Sequence, residues 1–453
     1  MKRLAKSLSS KITPARILVL GYLIAVILSS VVLTLPISLQ EGVRIGWFDA
    51  LFTATSAVSV TGLTVVPTDS TFSFFGKFAL MFMFQLGGIG IMTMGAFVWL
   101  ILGRNITLSQ RRLIMVDQNR PQLSGLVNVM RMVLMMSLII EGTGTLILTF
   151  YFKAAGYHEE WLEALGFAIF HSVSSFTNAG FDIYGDSLYR FAADYFVQSV
   201  TIVLLVLGAI GFPVLIELRE YWLRRNEKFR FSLYTKMTGL MYMLLVVVGT
   251  VGILLFERGQ QMESLPWHEQ LFYALFHSVS TRSGGLATTD GSFFSLPSQL
   301  LLAILMFIGA SPSSVGGGIR TTTFGVMLLT LYNYALGRNE VRAFNRAIKQ
   351  EDVTKSFVVF SVASILVLGS TMLIASMEPP AMSLAAILYE VCSAFGTSGL
   401  TLGITTELSL GSKIVLIVLM FIGRIGVLVL LYLFRSRKQK QLVHYPKEDI
   451  IIG

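Results

Sequence analysis

The sequence predicts an all-α membrane protein of four parallel helix–pore-loop–helix repeats, eight transmembrane helices in all, with pseudo-fourfold symmetry around one pore. Three observations carry that expectation. The chain is too apolar for a soluble domain, basic and acidic segments alternate between its apolar runs, and one short motif occurs four times. Of 453 residues, 54% are hydrophobic and 13% charged, with a mean hydropathy of +0.71, outside the range of soluble globular proteins.

Taken in order, apolar runs long enough to cross a hydrocarbon core of about 30 Å as helices lie at 17–36, 78–102, 132–152, 196–216, 237–256, 356–377 and 414–434. An eighth, 299–336, is interrupted midway. The first lacks a small-residue cleavage site, so it reads as a retained helix rather than a signal peptide. Of 35 Lys and Arg, five fall in 1–16, five in 103–131, six in 219–236, five in 337–355 and five in 435–447. Segments bearing Glu159, Glu160 and Glu163, or Glu257, Glu263 and Glu269, alternate with them. This is the positive-inside pattern, and it predicts a multi-pass protein of the cell membrane with both termini cytoplasmic. Topology thus accounts for the net charge of +9, with no nucleic acid needed. A single cysteine, Cys392, excludes an internal disulfide framework and a Cys-rich metal site.

The repeat shows in WFDALFTATSAVSVTGL (47–63), WLEALGFAIFHSVSSFTNAGF (161–181), WHEQLFYALFHSVSTRSGGL (267–286) and SLAAILYEVCSAFGTSGL (383–400). Each runs through an apolar stretch too short to span and stops at a polar pentapeptide whose fourth residue is glycine: Gly62, Gly180, Gly285 and Gly399. The expected unit is helix, re-entrant half-helix, extended strand, helix. This divides the chain into a cytoplasmic N-terminus (1–16), repeats at 17–102, 103–218, 219–336 and 337–434, and a cytoplasmic tail (435–453). A second echo, LGGIG (86–90), LGAIG (207–211), IGASP (308–312) and IGRIG (422–426), puts Gly87, Gly208 and Gly423 where close helix packing needs small residues.

Non-helical backbone at membrane depth leaves N–H and C=O groups unpaired, at several kcal/mol each unless protein, water or an ion satisfies them. Four such strands around one axis make a ring of carbonyls that can replace the hydration shell of an alkali cation. Glycine at the fourth position reaches backbone angles closed to other residues. The half-helices aim their carbonyl ends, favourable to a cation, at the same space. Each pentapeptide therefore reads as one quarter of an ion selectivity filter.

With SVTGL (59–63), TNAGF (177–181), RSGGL (282–286) and GTSGL (396–400) each following a short helix, the chain resembles the Trk/Ktr/HKT superfamily of potassium transporters. The stretch IGASPSSVGGGIRTTTF is most similar to that of bacterial Ktr membrane subunits (KtrB or KtrD type). The resemblance covers essentially the whole chain and implies a potassium filter of backbone carbonyls. These belong to Ser59, Val60, Thr61 and Gly62, to Thr177, Asn178, Ala179 and Gly180, to Arg282, Ser283, Gly284 and Gly285, and to Gly396, Thr397, Ser398 and Gly399. In that family glycine at all four aligned positions goes with potassium, and serine in the first repeat with sodium preference; Gly62 implies potassium. The charge of Arg282 should point away from the axis, and Glu390 is a partner of suitable sign.

GASPSSVGGGIR (309–320) breaks the eighth run. Pro312 removes a backbone donor, and Gly316, Gly317 and Gly318 remove helical bias. Beneath a filter, the loop Gly309, Ala310, Ser311, Pro312, Ser313, Ser314, Val315, Gly316, Gly317, Gly318 reads as an intramembrane gate. Arg424, mid-run in the last apolar segment, needs a polar partner, and the loop's serines and carbonyls offer one; it reads as the latch. Glu141 reads as a structural hydrogen-bonding group within the bundle.

Segments 219–236 and 337–355 are basic and helical in pattern, and neither carries a phosphate-binding glycine loop. The chain itself therefore implies no cofactor. The resemblance implies a homodimer on a cytosolic ring of RCK-domain subunits (KtrA or KtrC type) that binds ATP or ADP, K+ as the transported ion, and Na+ as a modulator or companion. In similar proteins the C-terminal end, here HYPKEDIIIG, helps join the dimer. Two other functions compete. GTSG (396–399) matches a motif of intramembrane serine proteases, making Ser398 a nucleophile, but that chemistry needs a nearby base and the other repeats lack the hydroxyl at this position or bear a threonine. A Na+- or H+-coupled cation symporter would favour inverted repeats and midplane acids, and this chain has parallel repeats and few buried carboxylates. Channel-like, non-enzymatic permeation fits better.

Overall fold

A computed structural model of the chain describes residues 13–95, 106, 111, 113–115, 125–223, 229–338, 340–434, 448 and 450. The expectations for the N-terminal twelve residues, for most of the basic segment 103–124 and for the tail with HYPKEDIIIG lie outside the described residues.

Thr13 and Pro14 start the first helix as sequence chemistry requires: the threonine Oγ1 accepts from Arg16 N, and proline sits where its missing N–H is not needed. This helix, α1 (Pro14–Thr34), ends at Leu35, which the following Pro36 holds extended. The succession then runs α2 (Trp47–Ser59) and α3 (Phe74–Ile89); α4 (Leu126–Ala154), α5 (Trp161–Phe176), α6 (Tyr195–Ala209) and α7 (Phe212–Leu223). It continues with α8 (Leu233–Phe256), α9 (Trp267–Ser280), α10 (Leu296–Phe307) and α11 (Thr321–Ala335). Last come α12 (Gln350–Met377), α13 (Leu384–Gly396), α14 (Leu410–Ile425) and α15 (Val427–Phe434). The order long helix, short helix, extended segment, helix occurs four times.

The long helices α1, α4, α8 and α12 have 21 to 29 residues, roughly 30–45 Å at 1.5 Å per residue, which suffices to cross a bilayer. Large apolar side chains such as Leu138, Leu240, Leu244 and Ile365 stand exposed on them, as lipid-facing surfaces do. Among the described residues these four helices are long and apolar enough to cross alone, and up to six if each bent pair counts as one span. The bends correct the reading of 196–216 and 414–434 as single helices. The α6–α7 pair turns through 105° and the α14–α15 pair through 97°. The turning residues, Gly211 at φ 99° and Gly426 at φ 93°, close LGAIG and IGRIG; Gly90 at φ 100° does the same in LGGIG and ends α3 within 78–102. Only glycine adopts such angles at little strain.

Each second helix is stapled at its start. Ser73 Oγ donates to Ile37 O (2.6 Å), Tyr151 donates to Asp194, Glu257 accepts from Ser295 N and Oγ (2.9 and 2.7 Å), and Glu378 accepts from Ser409 N (2.8 Å). These contacts tie the end of each long helix, or the segment just after it, to the N-cap of the helix that completes the unit, and in the third and fourth units they also satisfy the N-cap N–H. The basic segment 337–355 differs from its helical expectation. Before α12 it forms a small antiparallel hairpin, β1 (Arg342–Ala343) with β2 (Arg346–Ala347), turned by Phe344 and Asn345 at positive φ. In 219–236, residues 219–223 belong to α7 and 233–236 to α8, and 224–228 lie outside the described residues.

The short helices occupy the core. In α2 every residue from Phe52 to Ser59 is buried, and the hydroxyls of Thr53 and Thr55 return to the carbonyls of Asp49 (2.8 Å) and Leu51 (2.7 Å), so polar side chains enter the interior satisfied.

Candidate ion pathway and gate

The short helices stop where the pentapeptides begin, and they stop in the same way. The second residue of each predicted tetrad, Val60, Asn178, Ser283 and Thr397, has φ of 60°, 54°, 76° and 47°, and the fourth, Gly62, Gly180, Gly285 and Gly399, has 94°, 70°, 69° and 83°. Left-handed backbone at a β-branched residue is a true outlier, of order 1–3 kcal/mol, held only where surroundings over-determine it. Here the third residue's N–H is tethered to the short helix: Thr61 N to Ser56 O (2.8 Å), Ala179 N to Ser174 O (2.8 Å), Gly284 N to Ser280 O (2.6 Å) and Ser398 N to Ser393 O (2.9 Å). The strain at the second position had no sequence marker, because none of these four residues is glycine.

The four glycines lie side by side. A methyl group added at Gly62 would sit 2.7 Å from Ala179 O and 2.9 Å from Gly180 Cα; one at Gly180, 2.9 Å from Gly285 Cα; one at Gly285, 2.7 Å from Ser398 O. One at Gly399 would sit 2.1 Å from Thr61 O and 3.0 Å from Gly62 Cα, which closes the circuit. The predicted tetrads thus come together through backbone, with carbonyls of Thr61, Ala179 and Ser398 at the meeting points. A side chain at any of the four positions would have to displace a neighbouring strand.

Around this circuit the second helices press on the ends of the short ones. A methyl at Gly87, Gly208 or Gly423 would lie 2.1, 2.0 and 2.0 Å from the carbonyl oxygens of Val58, Phe176 and Phe395. The close packing read from the second echo is therefore specifically against the carbonyl ends of α2, α5 and α13. Behind the third strand, Arg282 is buried and donates from Nη1 to Ile308 O at 2.6 Å. Its expected carboxylate partner is corrected: Glu390 instead accepts from Leu402 N (3.2 Å), Thr405 Oγ1 (3.1 Å) and Thr401 Oγ1, holding the segment that leaves the fourth strand. Glu141 takes both its bonds from Gln85 Nε2, each 3.0 Å, a cross-helix contact of the structural kind expected. Ser398 Oγ lies 3.4 and 3.5 Å from the carbonyls of Ser280 and Thr281, with no imidazole among its partners, so the geometry of a nucleophile is not present. Among the described residues no group of three or more His, Cys, Asp or Glu is placed to hold a metal ion.

Outside the second strand, Asp182 accepts from Tyr184 N (3.0 Å) and Gly185 N (2.7 Å). Burial pushes its carboxyl pKa up; those two N–H bonds oppose the shift, and the charges of Asp186 and Asp69 add to it.

Below the circuit runs the interrupted segment, with no helix between α10 and α11. Its backbone is bound to helices of the second and fourth units: Ser311 N to Ala209 O (3.1 Å), Val315 N to Gly208 O (3.3 Å), Gly318 N to Gly423 O (3.3 Å), and Phe212 N to Ser313 O (2.9 Å). Tyr234 adds a bond to Pro312 O (2.6 Å). The three glycines serve approach rather than freedom alone. A methyl at Gly316 would lie 2.5 Å from Ser283 Oγ, and one at Gly317 2.5 Å from Thr397 Oγ1, so the loop touches the third and fourth strands directly. Arg424, buried, donates to the loop carbonyl of Val315 and to the carbonyls of Gly87 and Gly88 at the end of α3, the last at 3.0 Å. Its acceptors are backbone carbonyls rather than the hydroxyls of Ser311, Ser313 and Ser314. A second cation escaped sequence reasoning: Arg320 donates from Nη1 to Ser311 O and Gly316 O. It stands at the loop's end, where an arginine reads as a boundary residue.

The family described as TrkH, cation transport protein, matches residues 24–445. The Ktr system potassium uptake protein D of Bacillus subtilis strain 168 is 48% identical over 442 residues, 98% of each chain. The Ktr system potassium uptake protein B of the same organism is 35% identical over 448 residues, 98% of this chain and 97% of that one. The potassium/sodium uptake protein NtpJ of Enterococcus hirae is 32% identical over the full length of both. The crystal structure of the potassium transporter TrkH from Vibrio parahaemolyticus shares the fold, with a TM-score of 0.70 at 21% identity over 94% of this chain and 86% of that one. The chain is thus a multi-pass helical membrane protein that belongs to the TrkH family of cation transport proteins, a family of transporters and not of enzymes.

Proposed function

We propose that this chain is the ion-translocating membrane subunit of a Ktr-type potassium uptake system. In this reading the four repeats are parallel, cross the cell membrane eight times with both termini cytoplasmic, and surround one pore with pseudo-fourfold symmetry. The observation that carries it is the closed circuit of Gly62, Gly180, Gly285 and Gly399, each at positive φ and each against its neighbour's backbone. The carbonyls of the tetrads 59–62, 177–180, 282–285 and 396–399 replace the water around K+, and the carbonyl ends of the short helices favour the cation beneath them. Identity with relatives named as potassium uptake proteins supports the choice of ion.

The segment 309–318 acts as the gate, held closed by Arg424. Its bonds to the second and fourth units support this, as does its contact with Ser283 and Thr397. Opening is controlled from the cytosol by a ring of RCK-domain subunits that binds ATP or ADP, beneath a homodimer of this chain. Sodium modulates uptake without its gradient driving the flux, a reading supported by the potassium/sodium relative.

Flux into proteoliposomes containing the purified chain tests the proposal. Potassium should enter down its own electrochemical gradient with no sodium or proton gradient imposed. Uptake that appears only when a sodium or proton gradient is supplied would establish the coupled symporter instead.

A further inference from the structure

Beneath the loop, on the side away from the glycine circuit, lies a small polar cavity of about 30 Å³ whose lining includes Gly88, Ser313, Ser314, Arg320, Arg424 and Ile425. Two guanidiniums face it. Among the described residues both donate to neutral acceptors, Arg320 to the carbonyls of Ser311 and Gly316 and Arg424 to those of Val315, Gly87 and Gly88. Among the described residues no ion pair includes either arginine, and the charge of Arg424 acts against that of Arg320. Carbonyl dipoles offset part of the cost of burying two like charges, but they supply no net negative charge. Two cations that line one cavity repel, and the low dielectric of the interior makes that repulsion stronger than in water.

We propose that this cavity binds a small monovalent anion of the halide class between Arg320 and Arg424, and that the bound anion steadies the loop in its closed position. Size selects the class. A space of about 30 Å³ takes roughly two water-sized occupants, which suits a halide with one water. The anion neutralises the repulsion that would otherwise drive one guanidinium off its loop carbonyl. The binding site stands on the cavity and the two arginines alone; its effect on flux rests on the gate reading above.

Crystals of the full-length protein grown in bromide test the site. One anomalous peak is expected between the two guanidiniums, and it should vanish in Arg320→Gln. No peak in the wild type, or a peak that persists in Arg320→Gln, overturns the proposal. Where Arg320→Gln fails to fold, wild-type melting decides: Tm should rise with bromide relative to gluconate at equal ionic strength, and equal melting in both overturns binding. For the effect on the loop, replacing chloride with gluconate on both sides of proteoliposomes should raise basal potassium flux on the order of tenfold, the low end for losing one charge-assisted contact. A bromide peak with halide-independent flux overturns the steadying role, whereas a chain that passes no potassium at all while showing the peak fails the transport reading and leaves the site established.

Discussion

Arg424 carries a full charge and spends it on backbone carbonyls from two distant parts of the chain, Val315 in the loop and Gly87 and Gly88 at the end of α3. Hydrogen bonds to charged groups contribute about 1.5–3 kcal/mol each. Arg424→Ala should therefore raise basal potassium flux in proteoliposomes by roughly tenfold or more, and unchanged or lower flux in a stably folded variant contradicts the latch. The sequence announces this residue, because an arginine ten residues from either end of an apolar run must find a partner. It does not announce Arg320, which ends a polar stretch and needs no special account until its bonds are seen. Nor does it mark the left-handed backbone of Val60 and Thr397, since valine and threonine are the residues least expected there. Only the tethers of Thr61 N and Ser398 N to their short helices explain how that conformation is held.

At the scale of elements, the short helices were legible from length and the terminal pentapeptide, and the second helices only in part. A glycine inside an apolar run reads equally as a packing site or a break. The structure assigns both roles within LGGIG, LGAIG and IGRIG: in LGAIG, Gly208 packs against Phe176 O and Gly211 turns the chain into α7. This gives a paired prediction. Gly208→Ala places a methyl 2.0 Å from the Phe176 carbonyl, and overpacking of this kind costs about 1–3 kcal/mol. Gly142→Ala, in α4, meets nothing within 4 Å and should be neutral or slightly stabilising, since alanine is favoured over glycine in helices by about 1 kcal/mol. Thermal unfolding in detergent separates the two; equal melting would show that the α5–α6 contact is looser than described. In the sequence, the hairpin of Arg342 to Ala347 reads as helix because its basic residues fit a polar helical face as well as a strand, and the positive φ at Phe344 and Asn345 has no unique sequence signal.

For the whole molecule, the alternation of basic and acidic segments predicts topology, and labelling checks it. In a Cys392→Ala background, His158→Cys should react with a membrane-impermeant maleimide added outside intact cells, and Arg346→Cys only after the membrane is opened. The reverse pattern would invert the topology. Four motifs in register suggest a common axis, but sequence alone does not say which strand adjoins which. The circuit from Gly62 to Gly180, Gly285, Gly399 and back is a fact of packing between residues more than a hundred positions apart. The most direct test of the account is the ratio of potassium to sodium flux through the wild type and Gly62→Ser. A serine Cβ at Gly62 would meet Ala179 O at 2.7 Å with φ at 94°, so the ratio should fall by roughly tenfold or more, the change that about 1.4 kcal/mol of lost coordination produces. Identical ratios in the two proteins would mean that ions do not pass where these four strands meet.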